Sequence, residues 1–107
     1  MNIMKMMKQA ADLQRRMQEK QEALAGRTVE FSSGGGMVTA TARGDLTIER
    51  IRIDPKVVDP ADVEMLEDLV TAAVAGALSA AREMAAREMA ALTNGMGLPD
   101  GMKLPFL

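Results

Sequence analysis

The sequence predicts an α+β fold: one long helix, a three-stranded antiparallel β-meander and a second long helix, in that order. Three observations carry this. Residues 2–25 and 60–92 are dense in strong helix formers and keep apolar residues at spacings of three and four. Residues 27–54 alternate apolar and polar side chains in three short runs separated by glycine-bearing turns. A helix over residues 60–92 would span ~50 Å, whereas a strand of six or seven residues spans only ~20 Å. About half of the second helix must therefore project beyond the sheet. The first helix is long enough to accompany it as an antiparallel partner.

Composition bounds the problem. The chain has 107 residues, which suggests one small domain over 1–94 followed by an irregular tail over 95–107. Apolar residues make up 48%, but there are 11 Met, two Phe and no Trp or Tyr. Much of the remainder is Ala, which buries little area. Such a core is hard to stabilise alone, so oligomerisation is expected to complete it. Cys and His are absent, which excludes disulfides, thiolate and imidazole chemistry and ordinary zinc sites. The start, MNIMKMMKQA, lacks the apolar core of a secretory signal. No apolar run approaches a membrane span. Net charge is −2, with ten Lys/Arg against seven Asp/Glu over residues 1–56 and three against eight over residues 57–107. A chain polarised in this way can present one basic surface.

The first helix is expected from Asn2 to Ala25, with Gly26 as its stop. Ile3, Met6, Ala10, Leu13, Met17 and Leu24 form a narrow stripe, with Lys20 the one polar residue in the series. Met4 and Met7 lie off that stripe. Lys5, Lys8, Asp12, Arg15, Arg16 and Glu19 occupy other faces. They read either as a solvated helix surface or as a row of phosphate contacts, since exposed Lys/Arg can neutralise a phosphate backbone without reading bases.

In the middle, Val29 and Phe31 alternate with polar neighbours, and Val38, Ala40 and Ala42 do the same. The glycine triplet Gly34-Gly35-Gly36 lacks a following Lys-Ser/Thr and precedes a strand, so it reads as a left-handed hairpin turn and not as a phosphate cradle. Gly44-Asp45 is a second turn signal. Leu46 and Ile48 then share one parity, and Ile51 and Ile53 the other. A β-bulge near Glu49-Arg50 would restore a single apolar face; a regular strand would instead leave Ile51 and Ile53 for a second layer. Arg43, Arg50 and Arg52 form either a small basic patch or, with Asp45 and Glu49 nearby, cross-strand charge pairs.

The second helix is expected from Pro60, with Asp59 as N-cap and Pro60 in the first position. Asp62, Glu64, Glu67 and Asp68 read as helix-stabilising acids rather than as metal ligands. Val63, Leu66, Val70, Ala73, Ala77, Ala81 and Met84 keep helical spacing. Gly76 would admit the close approach of another backbone, or a bend. Arg82 and Arg87 fall on the projecting half, each followed by Glu, and Thr93-Asn94-Gly95 ends the helix.

Several segments in order resemble the YbaB/EbfC family of bacterial nucleoid-associated proteins: Val29-Glu30, Ser33-Gly34-Gly35-Gly36-Met37-Val38, Ile51-Arg52-Ile53-Asp54-Pro55, Glu64-Met65-Leu66-Glu67-Asp68-Leu69-Val70 and the tail Gly97 to Phe106. The resemblance covers nearly the whole chain. It implies a homodimer joined through the central sheets, with projecting tweezer-like helical arms that bind double-stranded DNA in the cytoplasmic nucleoid. It implies no enzyme, no cofactor, no membrane and no small-molecule substrate. The DNA-binding residues it points to are Lys5, Lys8, Arg15 and Arg16 on the first helix and Arg82 and Arg87 on the second, each acting electrostatically. Two further function classes stand beside this one. A protein-interaction module would use the Met- and Ala-rich helix surfaces and the apolar tail. An enzyme would need a constellation that this residue set does not offer.

Overall fold

The computed structural model describes residues 2–95 of the chain. It holds α1 (Ile3–Ala25), β1 (Thr28–Ser33), β2 (Val38–Arg43), β3 (Ile48–Ile53) and α2 (Val63–Gly95). The strands form one antiparallel sheet in the order β1-β2-β3. The expected α+β class and element order are therefore present. Of the tail expected to be irregular over 95–107, Gly95 belongs to α2 and the rest lies outside the described residues.

Local chemistry sets the element ends. Asn2 caps α1, its side-chain oxygen accepting from the Lys5 N–H at 3.3 Å. All three glycines between β1 and β2 have positive φ, at 60°, 66° and 95°, which is the left-handed turn expected of the triplet. The Ser33 hydroxyl donates to the Leu69 carbonyl at 2.6 Å and pins this turn to α2. The β2–β3 connection differs from expectation. Leu46 does not begin the last strand; it sits in the turn at φ 67°, donating its N–H to the Arg43 carbonyl. A type I turn followed by one left-handed residue is a common hairpin closure, and glycine usually takes that last place. Here the glycine lies earlier, at Gly44, because a side chain there would collide with the Leu24 carbonyl.

The bulge is where the parity break placed it. Thr41 faces Arg50 and Ala42 faces Ile48, so Glu49 is the extra residue. Directly opposed residues share a face. Ile53 opposes Val38, Ile51 opposes Ala40 and Ile48 opposes Ala42, so all three isoleucines stand on the side of the buried β2 residues. The regular-strand alternative falls. Arg43 pairs with Glu49 across the strands at 3.3 Å, whereas Arg50 and Arg52, opposite Thr41 and Thr39, are exposed, so charge pairing accounts for one of the three arginines.

α2 starts three residues later than expected. The Asp59 side chain accepts from the Ala61 N–H and its carbonyl from the Asp62 N–H, closing a separate turn around Pro60. Asp62 is then the residue that caps α2, accepting from the Met65 N–H at 3.2 Å. The N-cap is therefore Asp62 and not Asp59, and Pro60 lies outside the helix. At the other end the helix runs through Gly95 rather than stopping at Leu92.

α2 rests on β1 and β2 and scarcely touches β3. Ala73, Ala77 and Ala81, four apart, lie against Val38, Ala40 and Ala42. Gly76 takes the ring of Phe31 on its backbone, so the close neighbour is a side chain and not another main chain. Past the sheet, Met84 and Met89 pack on Leu24 of α1, with Met17 beside them. The molecule is long and thin, 71 × 24 × 16 Å. No helix among the described residues is long and apolar enough to cross a membrane.

Candidate nucleic-acid interface

α1 carries its charge away from its packing. Residues advance by about 100° per position around a helix. On that geometry Lys5, Lys8, Arg15 and Arg16 share one side, and Leu13, Met17 and Leu24 share another, turned towards α2. All four cations are exposed. Arg15 lies between Asp12 and Glu19, each at 3.8 Å and each exposed. Surface pairs of this kind contribute little, so they do not withhold Arg15 from a polyanion. From Ile3 to Ala11 every residue is exposed, including Ile3, Met4, Met6 and Met7.

α2 is less uniform. Arg82 and Arg87 are both exposed. Five positions on a helix amount to a turn of about 140°, so the two arginines diverge and the structure does not bring them to one face. Their neighbouring glutamates are not equivalent either. Glu88 turns back to α1, where one carboxylate oxygen meets Lys20 Nζ at 2.7 Å and the other meets Arg27 Nη1 at 2.7 Å. Those two hydrogen bonds, the lysine's first, hold the Glu88 carboxyl down to about 2. Lys20 and Arg27 are thereby engaged within the protein. This bridge is the feature of the region that sequence reasoning missed. Its one trace was Lys20, a cation in an otherwise apolar stripe, which calls for an acid on whatever helix faces it.

The arrangement is a basic helix face on a projecting segment, backed by apolar packing. Residues 1–96 match the sequence profile of the YbaB/EbfC DNA-binding family. The chain belongs to that family. A nucleoid-associated protein of Gluconacetobacter diazotrophicus is 48% identical over 105 residues, covering 98% of both chains. One from Acetivibrio thermocellus is 51% identical over 96 residues, covering 90% of this chain and 85% of its own. In fold, the chain is similar to the crystal structure of an uncharacterized protein from Helicobacter pylori, with a TM-score of 0.59 and 20% identity over 69% of this chain and 86% of that one. YbaB/EbfC is a DNA-binding family, and these relatives are named nucleoid-associated proteins. Within its frame, α1 carries four exposed cations, and α2 supplies the surface on which its apolar stripe packs.

Proposed function

We propose that this member of the YbaB/EbfC family is a nucleoid-associated protein that binds duplex DNA as a homodimer, chiefly through phosphates and groove shape. In this reading it helps to organise the chromosome, modulates transcription and resides in the nucleoid. The observation that carries it is the set of exposed cations Lys5, Lys8, Arg15 and Arg16 on α1, outside the stripe that packs on α2. Lysines and arginines spread along one helix face neutralise phosphates, and sequence then enters mainly through DNA shape. Arg82 and Arg87 would add contacts from two different sides of α2 and not as a pair.

The dimer is supported by what α2 leaves open. Ile51 and Ile53 stand on the apolar side of the sheet yet keep 40% and 37% of their surface exposed, and Val63 and Met65 at the start of α2 are also exposed. Among the described residues, the largest side chain with less than 2% of its surface exposed is Val38, a small core for a chain of this length. A second copy laid over β3 would complete it.

The test is a gel-shift titration on several unrelated duplexes at two salt concentrations. Replacing Lys5, Lys8, Arg15 and Arg16 with Gln should weaken binding to all of them alike. It should also lower the slope of log affinity against log salt by up to about four per chain, or about seven for the dimer, since each neutralised phosphate contributes about 0.9. An unchanged affinity and slope would refute the assignment to α1. The exposed Ile3, Met4, Met6 and Met7 favour a second reading, a protein contact at the end of α1. A salt-insensitive protein complex, with no DNA retained at low salt, would select that reading instead.

A further inference from the structure

α1 is held at one end. Its residues up to Ala11 are exposed, Leu13 and Met17 are half-buried, and Leu24 is buried against Met84 and Met89. Two cations close the same junction from different segments. Lys20 belongs to α1, whereas Arg27 belongs to the short link into β1. Both end on Glu88, one on each carboxylate oxygen. A single acid of α2 therefore ties down both sides of the bend at Gly26. The bend is also supported from the sheet: the Gly44 N–H donates to the Arg27 carbonyl at 2.9 Å, and the Leu24 carbonyl lies hard against Gly44. The Glu88 side chain is 28% exposed, and those of Lys20 and Arg27 are 36% and 52% exposed, so solvent screens the bridge in part and its strength lies in two short bonds to one acid.

We propose that Glu88 is a positioning residue for DNA binding: by holding Lys20 and Arg27 together it sets the direction in which α1 leaves the sheet. The DNA part of this rests on the reading that α1 carries the phosphate contacts. Glu88 contacts neither DNA nor the row of exposed cations. Its effect on binding passes through the orientation of α1.

The competing account is that Glu88 only masks two cations, and it predicts the opposite sign. Removing an acid raises the net charge and releases Lys20 and Arg27. If charge alone mattered, DNA binding should tighten and its salt slope should steepen by up to about two per chain, or about four for the dimer. If Glu88 positions α1, binding should weaken despite the gained charge.

The chain has no cysteine, so spin labels can be placed without background. Gln9 and Ser79 are both exposed, one on each helix. Labelled Gln9→Cys/Ser79→Cys protein, diluted in excess unlabelled chain so that intrachain distances dominate, should give a narrow distance distribution by pulsed electron resonance. Glu88→Gln and Glu88→Ala should broaden or shift it, with helix content by circular dichroism unchanged. The same variants should bind a random-sequence duplex about three- to tenfold more weakly, in the range of coupling changes carried by a single residue. The conservative variant Glu88→Asp, which keeps the acid for both cations, should retain more of the narrow distribution and of the affinity than Glu88→Gln or Glu88→Ala. An unchanged distribution overturns the proposal, and so does tighter binding with a steeper salt slope. A broadened distribution with unchanged affinity upholds Glu88 as the residue that positions α1 and overturns instead the assignment of DNA contacts to α1.

Discussion

A carboxylate with a cation on each oxygen resists protonation, and Glu88 is held down to about 2 from an ordinary 4.5. The consequence for stability has a definite sign. Its proton is bound more tightly in the unfolded chain than in the folded one. The bridge therefore contributes fully above about 4.5 and is lost as pH falls from there towards about 2. The melting temperature of the wild-type protein should exceed that of Glu88→Gln by a constant margin above pH 5.5. The margin should shrink steadily below pH 4.5. A margin independent of pH down to 2.5 would mean that Lys20 and Arg27 do not act on the ionised acid. Asp45 is lowered too, mainly by the Thr47 hydroxyl that donates to it in the β2–β3 turn. At this scale the sequence was only half legible. Lys20 stood out from its stripe, but Glu88 looked like a local neighbour of Arg87. Nothing in one dimension says which acid a cation will meet across a fold. Arg82 and Arg87 are a different case: their spacing of five already implied divergent directions, and helix geometry alone would have shown it.

Among the elements, β3 and the start of α2 teach opposite lessons. The bulge at Glu49 was readable because a strand has a strict period of two, and Ile48 and Ile51 break it. Parity errors have few remedies. The beginning of α2 was misread because Asp59-Pro60 and Asp62 both carry helix-start chemistry. The first pair closed a turn of its own, and the cap passed to the next acid. Asp62→Ala should therefore cost about 1 kcal/mol, a usual value for a lost N-cap. Asp59→Ala, which leaves that cap in place, should cost less. Urea denaturation of the two variants checks the order, and a larger loss for Asp59→Ala would return the N-cap to the earlier residue. Leu46 was misplaced for a related reason. Its apolar character suited a strand, but a close contact between Leu24 and Gly44 fixed where the glycine had to be.

For the whole molecule, the governing fact is a thin core. An alanine row on α2 brings the helix close to an equally small-residued β2, and β3 is left largely uncovered. The mismatch of helix and strand lengths was visible in the sequence, and a partner joined through the central sheets was expected from the resemblance. Which part of the sheet is left open for such a surface was not visible, because it depends on where α2 crosses the sheet. If that surface is β3, Ile51→Asp with Ile53→Asp should convert a dimer to a monomer by light scattering. DNA affinity should then fall as well, because each monomer offers only one basic row. A variant that remains dimeric would place the subunit contact elsewhere.

The one-ended attachment of α1 also has a mechanical side. From Leu24 to Ile3 the helix is ~32 Å long. A tilt of about 10° at its base would carry the far end through ~5–6 Å by that length, close to the ~6 Å width of a B-DNA minor groove. The junction at Glu88 is thus the short end of a lever. If α1 carries the phosphate contacts, sub-ångström adjustments among Lys20, Arg27 and Glu88 would be multiplied into displacements that matter to a duplex. Lys5 and Lys8, farthest from the pivot, would feel them most.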